Sequence, residues 1–360
     1  NNTVKVTLRE SVSQLNDVVV IGYGTATRKD LTGSVGTVSM ADLNKAPVKS
    51  FDEALAGRVA GVQVISSEGQ PGAPIEINIR GNNSITQSNY PLVVIDGFPM
   101  EDPNNAVVNP LNTLDPNEIE SIDILKDASA TAIYGARGAN GVVMVTTKRG
   151  KLGAPVITYN GYFGLQQNNK RMKLLNPYEF VKLQNEIDPV RTKTLYFKEG
   201  RNLESYRNLS GINWEDEVTR VAPMQNHYLS LAGGTQKTKY TVSLAHVGQD
   251  GIIINSGFKR TQGKISIDQE VSNKLKVGAN VTYADLKRYG APTSTGNYSN
   301  ELNMLFSVWA FRPVAVDPNL DLIELPTDPE VEQGSNSTFN PVMTAKNEIR
   351  ENFSTSFTAN

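Results

Sequence analysis

Two glycines that follow an apolar run are the residues whose types and spacing come nearest to a chemical motif in this sequence. They lie in residues 16–30, which read NDVVVIGYGTATRKD. Gly22 and Gly24 match the first half of the G-x-G-x-x-G turn that binds the pyrophosphate of a dinucleotide. Thr27 occupies the place of the third glycine, and a glycine turn and a strand pattern follow it instead of a helix. The spacing therefore argues against a nucleotide-binding site.

The same apolar run has a second use, as a peptide for strand addition. Residues 18–21, Val-Val-Val-Ile, are β-branched and uncharged, and they follow a polar linker with no strand partner evident nearby. Such a segment can add a strand to the edge of another protein's sheet, where main-chain hydrogen bonds hold it. Alternatively, the run is simply the first strand of the domain that follows. The residues alone leave both interpretations open.

Other catalytic motifs are absent from the sequence. It contains no Gly-Lys-Ser/Thr phosphate loop and no Gly-x-Ser-x-Gly nucleophile turn, and Gly135, Gly138 and Gly141 follow a helix pattern instead of preceding one. The chain has no cysteine, which excludes thiol catalysis and disulfides, and its two histidines, His227 and His246, are too few for a histidine relay. We therefore expect neither an enzyme nor a bound cofactor or metal ion.

Charge and hydropathy exclude two further classes of protein. Lysine and arginine total 35 against 37 aspartates and glutamates, so the chain lacks the basic surface of a nucleic-acid-binding protein. The mean hydropathy is −0.33, and no apolar run approaches the ~18 residues of a membrane-spanning helix. The strands of a membrane β-barrel alternate and average to a similarly mild hydropathy, so that class stays open.

Residues 17–150 read as a small mixed α+β domain. Two short helix patterns occupy residues 50–61, where Ser50 and Glu53 have the spacing of a capping box, and residues 128–134. Short strand patterns alternate with them: SVGTVSM, GVQVIS, IEINIRG, PLVVIDG, IESIDILK and GVVMVTTK.

After Lys151 the strand patterns become longer and one-sided. In TKYTVSLAHVGQ, Tyr240, Val242 and Leu244 share an apolar face, and the same alternation occurs in PVITYNGYFGLQ, QGKISIDQEVS, KLKVGANVTYADL and NFSTSFTAN. Outer-membrane β-barrels have such strands, and soluble antiparallel sandwiches use the same period. The irregular stretches 166–225 and 288–347 favour a barrel, because they suit its long extracellular loops. Within the first stretch, NPYEFVKLQNEI indicates a helix.

Four long segments of the first 151 residues carry a family resemblance. They are DVVVIGYGTATRKDLTGSV, ALAGRVAGVQVISSEGQPGAPIEINIRGNNSI, PLVVIDGFPM and LDPNEIESIDILKDASATAIYGARGANGVVMVTTKRGK. In this order they resemble the plug domain of the SusC-like (SusC/RagA family) TonB-dependent outer-membrane transporters of Bacteroidetes. The resemblance implies an α+β plug domain inside a transmembrane antiparallel β-barrel, of 22 strands in the full-length family. The pattern gives only five or six barrel strands, so we expect these 360 residues to be an N-terminal portion of a larger protein.

The resemblance also divides the chain into segments. Residues 1–15 correspond to the end of an N-terminal β-sandwich extension and linker, residues 16–24 to the TonB box region, residues 25–152 to the plug domain, and residues 153–360 to the first part of the barrel. It implies that the TonB box faces the periplasm, where TonB captures it by strand addition. The residues of this box are Asp17, Val18, Val19, Val20 and Ile21.

The function that the resemblance implies is active import across the outer membrane. The family takes up oligosaccharide or oligopeptide substrates, and TonB, energised by its ExbB–ExbD motor, pulls on the plug. A SusD-like lipoprotein lies over the barrel mouth, SusC–SusD pairs form dimers, and outer-membrane lipid surrounds the barrel. The alternative is a passive outer-membrane barrel or a surface adhesin, for which a TonB box serves no purpose. The motifs do not distinguish a glycan importer from a peptide importer.

Two sets of plug residues are candidates for function. Charged and amide residues punctuate the plug strands, and we predict polar plug–barrel contacts at Arg80, Asp127 and Arg137, with Arg80 facing either a barrel-wall carboxylate or solvent. The loops at residues 82–90 and 98–105 carry amide and aromatic side chains that suit sugars and peptides equally. The predicted substrate-facing residues are Asn82, Asn83, Asn89, Tyr90, Phe98, Glu101, Asp102 and Asn104.

Overall fold

The structure of the chain is a computed structural model. It describes residues 18–21, 24–27, 35–39, 55, 57–66, 69–73, 75–84, 89–100, 110–291, 304–314, 322 and 339–360.

The first two strands form a hairpin of their own. β1 (Val18–Ile21) pairs antiparallel with β2 (Gly24–Thr27) over four residue pairs. Among the described residues, neither strand joins another sheet. The expectation that this run has no nearby strand partner is therefore wrong. Two residues separate the strands, the length of a tight hairpin turn, and Thr25 and Thr27 favour extended backbone.

Seven further strands build the small domain. They are β3 (Val35–Ser39), β4 (Val62–Ser66), β5 (Ile75–Ile79), β6 (Leu92–Ile95), β7 (Phe98–Pro99), β8 (Ile119–Leu125) and β9 (Val142–Thr147). One sheet has the order β3-β8-β9-β6-β7, in which β6 and β9 run parallel, and β4 pairs with β5 in a separate hairpin. All six strand patterns of this domain are confirmed.

Alternating residues of the central strands form the core of the small domain. Ile122 and Ile124 of β8 pack with Val143 and Val145 of β9, and each is at most 2% exposed. The helix α1 (Ala128–Thr131) continues into a 3-10 segment, which confirms the helix pattern at residues 128–134. Of the helix pattern at residues 50–61, Leu55 is helical and residues 50–54 and 56 lie outside the described residues.

Six long strands form a second sheet. In chain order they are β10 (Gly153–Gln166), β11 (Ala222–Gly234), β12 (Thr238–Asp250), β13 (Gly257–Ser272), β14 (Leu275–Tyr289) and β15 (Glu351–Ala359). Each pairs antiparallel with the next, so the sheet runs in sequence order as a continuous meander. The sequence patterns identified all of these strands except β11.

Short and long connections lie at opposite ends of the six-stranded sheet. Residues 235–237 and 273–274 make tight turns at one end, whereas residues 167–221 and 290–350 connect strands at the other. The long connections carry α2 (Pro177–Ile187), α3 (Pro189–Leu195), α4 (Trp214–Val218), α5 (Met304–Ala310) and α6 (Pro341–Asn347). The helix that NPYEFVKLQNEI indicates is α2, which begins with a capping box between Asn176 and Glu179. Within the described ranges, every helix falls short of the length and hydropathy that a membrane crossing requires.

The two faces of the six-stranded sheet have inverted chemistry. One face exposes apolar side chains, such as Ile157 at 73% and Leu244 at 59%. The opposite face buries polar side chains, such as Ser243 at 2% and Lys264 at 3%. A sheet that is apolar outside and polar inside is the arrangement of a membrane β-barrel, since lipid contacts the outer face.

Candidate functional site

The small domain contacts the polar face of the six-stranded sheet through a short segment that precedes β8. This segment contains two 3-10 turns, at Pro110–Thr113 and Pro116–Glu118. Asp115 caps the second turn, because its carboxylate accepts a hydrogen bond from the Asn117 backbone N–H at 2.8 Å. The cap fixes the orientation of Asp115 and places Glu118 one turn later.

Arg260 of β13 binds this segment at several points. Its Nη2 donates to Asp115 Oδ2 at 2.9 Å, and its Nη1 donates to the carbonyl oxygens of Asn112 and Leu114 at 3.1 and 2.8 Å. The Arg260 and Asp115 side chains are 6% and 0% exposed. A buried guanidinium that binds a carboxylate and two carbonyl groups uses the fork geometry that distinguishes arginine from lysine.

Glu118 is the second buried carboxylate of the interface. It accepts hydrogen bonds from the Ser243 hydroxyl of β12 and from the Gln262 amide of β13. Burial raises the pKa of the Glu118 carboxyl above its ordinary value, and the hydrogen bond from Ser243 opposes that shift. The carboxyl is therefore protonated more easily than an exposed one, at a point where the two sheets meet.

A third cluster joins the turn after β6 to β13 and β14. Asp96 lies at a φ of +49° and accepts hydrogen bonds from the Thr147 backbone N–H at 2.9 Å and hydroxyl at 2.6 Å. Asn280 of β14 donates to the same carboxylate at 2.9 Å. Lys264 of β13 donates to the Thr147 hydroxyl and lies 3.9 Å from the carboxylate. The buried lysine of β13 thus finds both of these partners, Thr147 and Asp96, in the small domain.

A more exposed ion pair lies at the edge of this interface. Arg149 Nη1 is 3.0 Å from Asp268 Oδ1 of β13, and the two side chains are 49% and 33% exposed. Asn160 of β10 donates to Asn117 at 3.2 Å. The contacts between the sheets are thus mostly hydrogen bonds and ion pairs, which water can replace one at a time when the surfaces separate.

A glycine of the small domain allows a close apolar approach to the six-stranded sheet. Gly72, between β4 and β5, has a φ of +71°, and a Cβ there would lie 2.2 Å from the Phe258 ring of β13. Within the described residues, Phe258 also packs with Val247, Ala284 and Leu286. Any side chain at position 72 would therefore push the β4–β5 connection away from the sheet.

The described partners of the residues predicted as plug–barrel contacts lie in the small domain. Arg80 pairs with Asp127 at 2.5 Å and donates to the Lys126 carbonyl at 3.2 Å, and Arg137 donates to the Met100 carbonyl at 2.9 Å. These partners all belong to the small domain, so the described contacts of Arg80 do not include a barrel-wall carboxylate. Arg80 has a φ of +59°, which turns the chain directly after β5.

The amide residues of the first predicted loop mainly shape the loop itself. Asn89 accepts hydrogen bonds from the backbone N–H groups of Asn83 and Ser84 at 2.8 and 2.7 Å. Asn83 donates to Asn140 at 3.3 Å, and Tyr90 packs against the core of the small domain. Asn82 is exposed, and it remains a candidate for substrate contact.

The second predicted loop is only partly described. Phe98 is 48% exposed in β7, and its ring is available to a ligand. Glu101, Asp102 and Asn104 lie outside the described residues, as does Asp17 of the predicted TonB box. The remaining box residues, Val18, Val19, Val20 and Ile21, form β1. Within the described ranges, no three histidine, cysteine, aspartate or glutamate side chains lie close enough to hold a metal ion.

Sequence reasoning did not select Asp115, Glu118, Arg260 or Gln262. A signal exists for the last two, because Arg260, Gln262 and Lys264 occupy alternate positions of one strand. Charged and amide residues at that period, opposite the apolar face of a barrel strand, point toward the lumen. For Asp115, the sequence signal is only that of a helix cap.

Comparison with known proteins identifies the class. Residues 27–142 match the family model described as the TonB-dependent Receptor Plug Domain. The structure of the RagAB peptide importer in its open-open state is similar, with a TM-score of 0.67, 30% identity, and coverage of 81% of this chain and 34% of that one. The small domain is therefore a plug, and the six-stranded sheet is the first part of the β-barrel of a TonB-dependent receptor.

The relatives narrow the class to a family. The chain is 41% identical over 301 residues to TonB-dependent receptor P26 of Formosa agariphila, which covers 82% of this chain and 29% of that protein. It is 35% identical over 293 residues to TonB-dependent receptor SusC of Bacteroides thetaiotaomicron, covering 81% of this chain and 28% of that protein. The chain belongs to the SusC-like TonB-dependent receptors of Bacteroidetes. It spans less than a third of the length of these relatives, which are named as receptors and not as enzymes.

Proposed function

We propose that this chain is the plug and first barrel portion of an outer-membrane receptor that imports oligomeric nutrients, glycans or oligopeptides, with work delivered by TonB. The observation that carries the proposal is the buried polar interface between plug and barrel, centred on Arg260 and Asp115. A plug that must leave the lumen and return needs contacts that water can replace, and an apolar core would oppose that movement.

Import against a gradient needs a source of work outside the outer membrane, because that membrane holds neither ATP nor an ion gradient. The TonB box, Asp17 with Val18–Ile21, is the segment on which TonB would pull. In the structure, four residue pairs connect β1 to β2, and no described pairing connects β1 to the plug sheet. An isolated two-stranded hairpin is marginally stable in water, so β1 can exchange β2 for an edge strand of TonB.

Three partners complete the proposal. TonB with its ExbB–ExbD motor supplies force from the inner membrane, a SusD-like lipoprotein closes the extracellular mouth, and pairs of the two outer-membrane proteins form dimers. The support for this assembly is the similarity of the chain to SusC and to the RagAB peptide importer. Loop residues that face outward on the plug, Asn82 and Phe98 among them, are the proposed substrate contacts.

A proline substitution in the TonB box tests the proposal in the full-length receptor. Val19→Pro removes a main-chain donor and should abolish uptake while ligand binding and outer-membrane assembly persist. Val19→Ala at the same position retains the donor and should keep most of the uptake. Uptake that continues unchanged with Val19→Pro, or with residues 17–21 deleted, would favour the passive barrel or adhesin instead.

A further inference from the structure

A cavity of about 300 Å³ lies between the plug and the long connections of the barrel strands. The β4–β5 connection of the plug forms one wall, and the segments before α2, around α4, between β12 and β13, and along α5 form the others. Most of its lining is apolar: Pro71, Met172, Val218, Ile252, Val308 and Trp309. The cavity thus opens at the end of the sheet that carries the long connections, and it has the size of a small-ligand site.

Two polar side chains of largely buried residues line this cavity. Gln70 is 8% exposed and belongs to the cavity lining. Glu215 is 7% exposed and accepts a side-chain hydrogen bond from Asn168, but no described cation forms an ion pair with it. An amide and a carboxylate in a mostly apolar lining can form hydrogen bonds with a ligand that enters the cavity, and they would fix its orientation.

The exposed rim of the cavity adds a charge of the opposite sign. Lys170 lines the cavity, is exposed, and forms no ion pair among the described residues. Trp309 is 39% exposed on α5, so one side of its ring remains available. The cavity therefore combines an apolar wall, an aromatic ring, a neutral amide, and one group of each charge.

We propose that this cavity binds an apolar side chain of an oligopeptide together with the peptide group beside it, so that the nutrient imported is a peptide. The inference rests on the proposed import function and deepens it. The Gln70 amide has the donor and the acceptor that a peptide group requires, and Glu215 accepts from a backbone N–H or a terminal ammonium. A sugar ring carries hydroxyl groups on most of its carbons, and this apolar lining would leave many of them unsatisfied.

Binding measurements on the purified full-length receptor test the inference. The probes are the pentapeptide Ala-Ala-Phe-Ala-Ala, its Ala-Ala-Ser-Ala-Ala counterpart, and maltopentaose, followed by isothermal titration calorimetry. We expect the phenylalanine peptide to bind more tightly than the serine peptide, and Trp309→Ala to weaken it about ten-fold or more. Phe306→Ala is the matched control, because Phe306 is 44% exposed on the same helix and does not line the cavity.

A second variant separates ligand recognition from folding. Gln70→Leu keeps the side-chain volume and removes the amide, so the receptor should assemble normally and still bind the phenylalanine peptide several-fold more weakly. The inference is overturned if the wild-type receptor does not bind that peptide. It is also overturned if Trp309→Ala and Gln70→Leu leave the binding unchanged, or if maltopentaose is the probe whose binding these variants weaken.

Failure of this inference differs from failure of the import proposal. If the cavity does not bind peptide, Val19→Pro still abolishes uptake of whatever the receptor carries. If import does not depend on TonB, uptake survives Val19→Pro even when Trp309→Ala weakens peptide binding.

Discussion

Arg260 of β13 and Asp115 of the plug form an ion pair at 2.9 Å in which both side chains are almost fully buried, at 6% and 0% exposure. The pair joins two residues that are 145 positions apart in the chain. Because an exposed pair contributes little and a broken buried pair costs much, this contact should hold the plug to the barrel strands more strongly than the exposed Arg149–Asp268 pair does.

Removal of the arginine should loosen the plug more than removal of any exposed contact. Arg260→Met leaves the Asp115 charge buried without its cation, which should reduce the free energy of plug release by about 3–5 kcal/mol. Arg149→Met is the matched control, because its pair with Asp268 also joins plug to barrel but is half-exposed, and its loss should cost at most about 1 kcal/mol. Hydrogen exchange of the β8 and β9 amides in the full-length receptor measures both.

Relief of the charge should restore stability in the double variant. Asp115→Asn keeps a side-chain oxygen for the Asn117 backbone N–H, so the cap of the 3-10 turn survives. Combined with Arg260→Met, it should recover a large part of the lost protection. Equal protection in Arg260→Met and Arg149→Met would contradict a stronger contribution from the buried pair than from the exposed one.

Glu118 should make attachment of the plug depend on pH. Its pKa is raised in the folded protein, so the folded state binds more protons than the unfolded state between the ordinary carboxyl value and the raised one. The stability that protonated Glu118 contributes is therefore fully present below its pKa in the unfolded state. It is lost as the pH rises through its pKa in the folded state. The side chain in Glu118→Gln cannot ionise. The stability of this variant, measured from pH 4 to 8, should therefore fall less with rising pH than that of the wild type.

A neighbouring carboxylate provides the control for this titration. Glu120 is 48% exposed and lies 3.7 Å from Lys151, so Glu120→Gln should leave the pH profile close to that of the wild type. In Glu118→Gln, rotation of the Gln262 amide would present its Oε1, which is buried without a partner, to the new amide. An unchanged pH profile in Glu118→Gln would show that Glu118 stays ionised at the interface.

The long strands of the six-stranded sheet were predictable from the sequence because their side chains alternate between an exposed apolar face and a buried polar face. β12 alternates cleanly, with Val242 and Leu244 outside and Thr241 and Ser243 inside. β11 escaped prediction because this pattern is inverted in part of it: Tyr228 lies on the buried face, 4% exposed, and His227 on the exposed face. Period-based reasoning needs the apolar residues on one face, and this strand does not meet that condition.

The polar contacts of the plug were not predictable, because they depend on which distant segments meet. Arg80 precedes a glycine at the end of a plug strand, and nothing in its local sequence distinguishes Asp127 from a barrel carboxylate as partner. The sequence pattern around Arg260 likewise indicates only that its side chain faces the lumen. The partner of each charged side chain depends on which segments the fold brings together. Contacts between residues this far apart in the chain leave no signal in the local sequence.

The exposed apolar face should tolerate charge poorly if lipid covers it. Leu244 is 59% exposed near the middle of β12, and Leu244→Arg should destabilise the full-length barrel by about 2–4 kcal/mol at the bilayer midplane. Gln236→Arg, in the short turn before β12, lies at the sheet end and should cost close to nothing. Urea unfolding in lipid bilayers compares the two. A similarly small effect of both variants would contradict a lipid-facing surface.

A reversible lock on the first hairpin tests how TonB gains access to the box. Val20 and Thr25 are register partners of β1 and β2, and neither these 360 residues nor this hairpin contains a native cysteine. In Val20→Cys/Thr25→Cys, a cross-strand disulfide holds β1 to β2, so β1 can no longer exchange its partner for a strand of TonB.

Uptake by the full-length receptor should be low under oxidising conditions and recover when a reductant is added. Each single cysteine variant controls for the substitution itself and should respond to neither treatment. Full uptake by the oxidised double variant, with the disulfide verified by mass spectrometry, would show that TonB captures the box without opening this hairpin.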